Sequence, residues 1–362
     1  MICFMCQTPI HVFRSIHLKL TTFSSENADI FLFSMFNGYI KIAENLEKTG
    51  LFSNVYTIGD ENYASRNRIE TLKILLSNTY YKKILKQKYY DQVFVYNLDC
   101  IITYVAYNVL KKQNKKIIYN IVEDAPTFYD LKLENRKLRY FYRIIGYKNP
   151  VYNADKWWYS YPNHMDQLGN GEKVRLPQIS RTDRDFKHYV NIVFEYQEDP
   201  QLLECDIIIM EEPFQKDGRL NNNEDAQLFK SLKKHIRDKK IVVKLHPRID
   251  NDRYEGSYNV LPYTSIPWEV YTLNLKENAQ KTIITLASTT AISSKIIYGD
   301  EPKVVLLFPL LEDKIIGFSE DDRFFDDNRK MKIYKQKEIY TDKSRFIIIN
   351  NKDELINELN NI

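Results

Sequence analysis

Two doubly wound α/β domains facing each other across a cleft are predicted by three features of this sequence. Short apolar runs alternate with amphipathic stretches along most of the chain, which implies parallel strands covered on both faces by helices. The rhythm breaks between about residues 149 and 185, where Pro150, Pro162, Gly169, Gly171 and Pro177 surround Lys156-Trp157-Trp158-Tyr159, and then resumes. A length of 362 residues also exceeds what one hydrophobic core commonly serves. The expected division is a first domain over residues 1–155, an interdomain crossing over 156–190 and a second domain over 191–362.

Each element has its own signal. Residues 2–6 are an unbroken apolar run and predict the first strand. Thr8-Pro9 then opens a helix to about residue 19, because proline suits a first helical turn. Residues 30–34 predict a second strand, and 39–48 a helix closed by Gly50. Residues 55–58, 92–96 and 116–122 predict further strands, with helical periodicity over 68–86 and another helix between the last two strands. In the second series, strands are expected at 206–210, 241–244, 282–286, 303–307 and 345–349. Helices are expected at 225–238, 268–275, 288–298 and 353–360.

Composition narrows the function. Hydrophobic residues make up 44% and charged residues 28%, an ordinary globular balance. A net charge of +4 is too small to imply nucleic acid without a basic stripe, so no nucleic-acid partner is expected. The 27 tyrosines reflect a general bias rather than a site. Cys3 and Cys6 form a C-x-x-C inside an apolar run with no second pair to complete a zinc site; with Cys100 and Cys205 they read as reduced thiols. No basic leader precedes the first apolar run, and His11, Arg14 and His17 interrupt it. No stretch reaches the roughly 18 apolar residues of a membrane span. A cytoplasmic protein is expected, with a peripheral place at the inner membrane face as one option. Oligomeric state is open, a dimer included.

Chemistry-bearing residues gather at expected strand ends, where open α/β sheets bind ligands. Lys244-Leu245-His246-Pro247-Arg248 ends a strand in two cations and an imidazole, donors suited to a phosphate. Ser288-Thr289-Thr290 opens a helix, whose free N–H groups and hydroxyls suit an anion. Simple N-capping explains the same residues. Glu123-Asp124 follows a strand of the first domain, and Asp217-Gly218 lies in a loop of the second; either supplies a carboxylate for general-base work, or a solvated loop acid. Glu269, in the first turn of a short helix, suits ribose hydroxyls. The chain has no G-x-x-x-x-G-K-[ST], no G-x-G-x-x-G, no D-x-D between apolar residues and no histidine pair at metal-ligand spacing.

Cys6-Gln7-Thr8-Pro9, Glu123-Asp124, Lys244 to Arg248 and Ser288-Thr289-Thr290, in that order, resemble the bacterial sialyltransferases, and most of all their lipooligosaccharide and capsule family. The resemblance spans nearly the whole chain. It implies two facing Rossmann-like domains with a deep interdomain cleft, the glycosyltransferase-B architecture. It implies a CMP-sialic acid donor, a galactose-terminated glycan acceptor, inversion at the anomeric carbon, and no metal or other cofactor. His246 would then contact the CMP phosphate and assist the leaving group, Ser288 and Thr289 would hold that phosphate, Glu269 would grip the ribose, and Thr8 would line the acceptor side. Related families carry acid-acid-glycine where Ala125 stands here. The base is therefore open between Asp217 and Asp124, with Glu123 third. A polysialyltransferase, another nucleotide-sugar transferase and a non-catalytic nucleotide- or sugar-binding protein are the alternatives.

Overall fold

Runs such as Ile-Cys-Phe-Met-Cys and Ala-Asp-Ile-Phe-Leu-Phe are buried at every position, as strands covered on both faces by helices must be. The computed structural model describes residues 1–59, 73–77, 79–97, 100–124, 142–144, 146–164, 169–236, 238–246, 248–249, 253–262, 266–275, 280–317 and 323–362. The chain forms two units. One comprises Met1–Tyr196 with Ser265–Val270, the other Gln197–Thr264 with Tyr271–Ile362.

The first unit holds a seven-stranded sheet of β1 (Ile2–Cys6), β2 (Ala28–Phe33), β3 (Asn54–Ile58), β4 (Gln92–Val95), β5 (Ile118–Val122), β6 (Lys156–Tyr159) and β7 (Glu172–Arg175). Its order is β3-β2-β1-β4-β5-β6-β7, and every pairing is parallel. Helix α1 (Pro9–Leu20) starts with proline in its first turn and is buried along most of its length. Helix α2 (Tyr39–Thr49) ends at Gly50, whose φ of 63° is the left-handed cap glycine adopts without strain. A helix at Arg184–Val193 packs on α1 through Phe186, which meets Phe13 edge-on with centroids 5.1 Å apart.

Two expectations change here. Residues 156–175, expected within a crossing, supply β6 and β7 instead. The buried Trp157 and Tyr159 are core residues, and the surrounding Pro and Gly mark the turns between strands. The crossing therefore lies later than 156–190 proposes, with the first unit running to Tyr196. The helical stretch expected over 68–86 is, in its described part, helical at 73–76 and again at Tyr80–Gln87. Thr79 caps the second piece by accepting from the Lys82 N–H, and the Lys82 ammonium donates to the carbonyls of Ile74, Leu75 and Ser77 at 2.7, 2.6 and 2.9 Å. One side chain thereby closes the end of the first piece.

The second unit holds six parallel strands: β8 (Ile207–Met210), β9 (Ile241–Lys244), β10 (Asn259–Val260), β11 (Thr282–Thr285), β12 (Lys303–Leu306) and β13 (Phe346–Ile348). Their order is β10-β9-β8-β11-β12-β13. Counted within its own unit, each sheet follows the order 3-2-1-4-5-6 of a Rossmann-like domain, with a seventh strand added at one rim of the first. The helix expected over 225–238 is shorter, Glu224–Leu232, and Asp238 lies beyond it at a φ of 57°. All four cysteines are buried. No helix among the described residues is long and apolar enough to cross a membrane.

Candidate functional site

Strand order reverses between β1 and β4 in the first unit and between β8 and β11 in the second. Residues following those strands stand where a doubly wound sheet opens to ligands.

In the first unit the cluster is built on α1. Gln7 follows β1, and its N–H donates to His11 Nδ1 at 3.0 Å. A ring nitrogen that accepts leaves the proton on the other, so His11 Nε2–H donates to Asp124 Oδ1 at 2.7 Å. The imidazole stacks on Tyr96, with centroids 4.5 Å and planes 11° apart. The Tyr96 and Ser15 hydroxyls lie 2.7 Å apart, and Ser15 Oγ is 3.3 Å from Cys6 Sγ. These contacts hold the ring in one tautomer and one plane. The His11 side chain is 1% exposed and that of Asp124 is 32%. The buried imidazole thus orients a carboxylate that still meets solvent.

Glu123 is used differently. It accepts from Arg14 Nη2 at 3.1 Å, from the Ser160 N–H at 2.8 Å and from the Ser160 hydroxyl. Arg14 and Glu123 are both buried. Burial raises the Glu123 pKa, and Arg14 and Ser160 oppose the rise. Of the adjacent acids, Asp124 is the one free to take a proton from a ligand. Gln7 Oε1 and the Thr8 hydroxyl are buried without partners. Thr8 occupies the N-cap position of α1 before Pro9, but its side chain makes no capping bond.

In the second unit, β9 ends at Lys244 and His246 stands two residues beyond. The Arg248 N–H donates to His246 Nδ1 at 3.2 Å, which puts the proton of the neutral ring on Nε2. Burial, then Arg248 and Lys244, pull the His246 pKa down to about 4. At neutral pH His246 is therefore an uncharged donor. Arg248 does not stand as a free cation: its guanidinium grips Asp217 with two bonds of 2.6 and 3.0 Å. That pair engages both Asp217 oxygens. The expected Asp-Gly turn is present, with Gly218 at a φ of 68°. Pro247 lies outside the described residues.

The helix expected from Ser288 begins as a 3-10 turn, Thr289–Ile292, and becomes α-helical only over Ser293–Tyr298. Ser288 holds the N-cap position, yet its hydroxyl makes no cap bond. Glu269 is buried in the first turn of helix Trp268–Asn274 and groups with the first unit, whereas His246, Ser288, Thr289 and Thr290 belong to the second. Among the described residues no group of three or more His, Cys, Asp or Glu side chains is placed to hold a metal ion.

Sequence reasoning did not single out His11, Arg14, Ser15, Tyr96 or Ser160 for the site. A signal was present for three of them. His11, Arg14 and Ser15 fall at i, i+3 and i+4 of one helix, a polar stripe on an element that, His17 and Lys19 apart, is otherwise apolar. Arg253 was also missed. It donates to Glu211, Asp225, Gln215 and Asn223, and thereby ties together the loop after β8.

The chain is similar over its whole length to Methanocaldococcus jannaschii UDP-GlcNAc 2-epimerase, solved with UDP-GlcNAc and UDP. The identity is 15%, the TM-score 0.51, and the match covers 100% of this chain and 92% of the other. Spinosyn forosaminyltransferase SpnP matches at 11% identity and a TM-score of 0.50, covering 99% and 93%. The fold is that of glycosyltransferase-B. TcCGT1, solved with UDP, shares the glycosyltransferase-B fold at 7% identity and a TM-score of 0.50, covering 99% and 88%. No protein-family model matches the chain, and no curated protein does. An epimerase and a transferase share this fold, so the reaction must be argued from the residues.

Proposed function

We propose that the protein is a nucleotide-sugar glycosyltransferase, and specifically an inverting, metal-independent sialyltransferase using CMP-sialic acid. The observation that carries a transfer reaction is the His11–Asp124 pair, an oriented and accessible carboxylate beyond the strand ends of the first sheet. The donor assignment rests on His246, Ser288, Thr289 and Thr290 and on the sequence resemblance they carry. A CMP donor presents one phosphate, which hydroxyls and a neutral imidazole N–H can meet without a cation.

In this reading Asp124 takes the proton of the acceptor hydroxyl, a galactose hydroxyl in the resemblance, as its oxygen bonds to the anomeric carbon. The bond from that carbon to the phosphate oxygen breaks, and its electron pair leaves with CMP. His246 Nε2–H and the Ser288 and Thr289 hydroxyls steady the developing charge. Lys244 adds positive potential at the end of β9. Asp217 is the weaker candidate base because Arg248 already holds it, and Glu123 the weakest because Arg14 and Ser160 do. Glu269 keeps the ribose role by resemblance alone.

The second reading is a different donor on the same fold. It is supported by the UDP in the M. jannaschii epimerase and TcCGT1 structures. Calorimetric titration with CMP, UMP, UDP and GDP, with and without EDTA, separates the two. Selective CMP binding supports the sialyltransferase. Preference for UDP, or binding that EDTA abolishes, replaces it with a transferase or binding protein for another nucleotide sugar.

A further inference from the structure

Behind the turn that carries Ser288, Thr289 and Thr290 stands a carboxyl group that the donor reading leaves without a role. Glu212 lies just beyond β8, the strand paired with β11 where the order of the second sheet reverses. It is buried, and its Oε1 accepts the Ala287 N–H at 2.5 Å. The Ser288 N–H turns back to Thr285 Oγ1 at 3.2 Å. The N–H groups of Ala287 and Ser288 thus point into the protein, and the residues of this turn left to meet a ligand on the outer side are Ser288, Thr289 and Thr290. Glu212 Oε2 is buried with no partner.

The surrounding charges do not neutralise this group. Asp225, in the first turn of helix Glu224–Leu232, raises its pKa further. Arg253 is engaged by Glu211 and Asp225, and Tyr254 donates to Glu211. At the end of β9, Lys244 and Arg248 act on His246, as does Asp217.

We propose that Glu212 is a proton-linked positioning residue: an anion bound to the Ser288–Thr290 turn and a proton on Glu212 are held together, because an ionised carboxylate bonded to the inner side of the turn opposes a negative charge on its outer side. This rests on the donor reading above. Burial pushes the Glu212 pKa up to about 8, with the hydrogen bond from the Ala287 N–H foremost among the effects opposing the rise. Below that pH the proton is already in place and binding takes up none. Above it, binding must bring the proton, and affinity falls by up to tenfold per pH unit.

The test is calorimetric titration of CMP onto the full chain at pH 7.0 and 8.8, in two buffers of different ionisation enthalpy. Across this window the CMP phosphate is at least about nine-tenths ionised, its second pKa being near 6, so it contributes little proton exchange. Well over half a proton should be taken up at pH 8.8 and little at 7.0, with affinity about sixfold weaker at 8.8. In Glu212→Gln the uptake should vanish and the affinity ratio approach one. CMP binding without uptake in the wild type overturns the inference, as does uptake that persists in E212Q. Sulfate, which does not titrate in this range, probes the turn when CMP fails to bind. A sulfate affinity that weakens at pH 8.8 in the wild type but not in E212Q upholds the role of Glu212 while the CMP donor falls. If neither CMP nor sulfate binds, both proposals fall.

Discussion

His11 Nε2 stands 2.7 Å from Asp124 Oδ1 and joins the first helix to the residue two beyond the fifth strand, across 113 positions of sequence. The Gln7 amide decides which ring nitrogen carries the proton, so the tautomer is written into the turn between β1 and α1. His11→Phe preserves the stacking on Tyr96 and removes both ring contacts. In the proposed reading, turnover by this variant should fall at least tenfold in kcat, with CMP affinity little changed because the phosphate-binding candidates His246, Ser288 and Thr289 belong to the second unit. Steady-state kinetics beside calorimetry reads both; an unchanged kcat removes His11 from any catalytic arrangement.

The three acids separate by substitution. Asp124→Asn should lower turnover by about 10²–10⁴. Asp217→Asn should lower it by less than about tenfold. Glu123→Gln should act on folding instead, because it leaves Arg14 buried without its counter-charge at a cost of about 3–5 kcal/mol. Thermal melts and turnover on the same preparations give the ranking. A stable Asp217→Asn with the largest turnover loss would move the base to the second unit.

Stability should decline as the solution turns acid. Burial, with Arg14 adding to it, pulls the His17 pKa down to about 4, and that of His246 is likewise about 4. Both values lie below the ordinary 6.5, so the unfolded chain takes up protons first as pH falls. Their contribution is complete above pH 6.5 and is lost on the way down through 4. For His17 this is on the order of 3 kcal/mol. Melting temperatures from pH 7 to 4 should show the decline, and His17→Phe should shallow it. A slope unaltered by that substitution assigns the acid response elsewhere.

Arg253 holds Glu211 and Asp225 in a buried cluster. Arg253→Met leaves two carboxylates without their cation and should cost about 3–5 kcal/mol, read as a lower denaturant midpoint. A midpoint within experimental scatter of the wild type would show that these acids simply protonate.

The central strands were legible because each is an apolar run buried on both faces, as in β1 and β8. β10 was not, because a two-residue pairing of Asn259–Val260 leaves no pattern. β7 was hidden because Glu-Lys-Val-Arg has no apolar run, and β6 because its tryptophans sit among turn-forming residues. The strand-end acids and His246 could be placed once the strands were placed. Asp124's partner could not, since nothing local marks a histidine on α1 as the neighbour of an acid beyond β5. The same holds for Arg248, where spacing suggested a phosphate ligand and three-dimensional proximity to Asp217 gave it a carboxylate.

The rims of the two sheets bear on behaviour at high concentration. β7 closes one edge of the first sheet with Glu172, Lys173 and Arg175, and β10 closes one edge of the second with only two residues. An unpaired strand edge is a template on which a foreign strand can dock, and charge or brevity spoils that template. Exchanging Lys173 and Arg175 for valine would give β7 an apolar run at the rim of the described sheet. The penalty would appear as insoluble protein during refolding, in a molecule whose individual native domains had lost little stability.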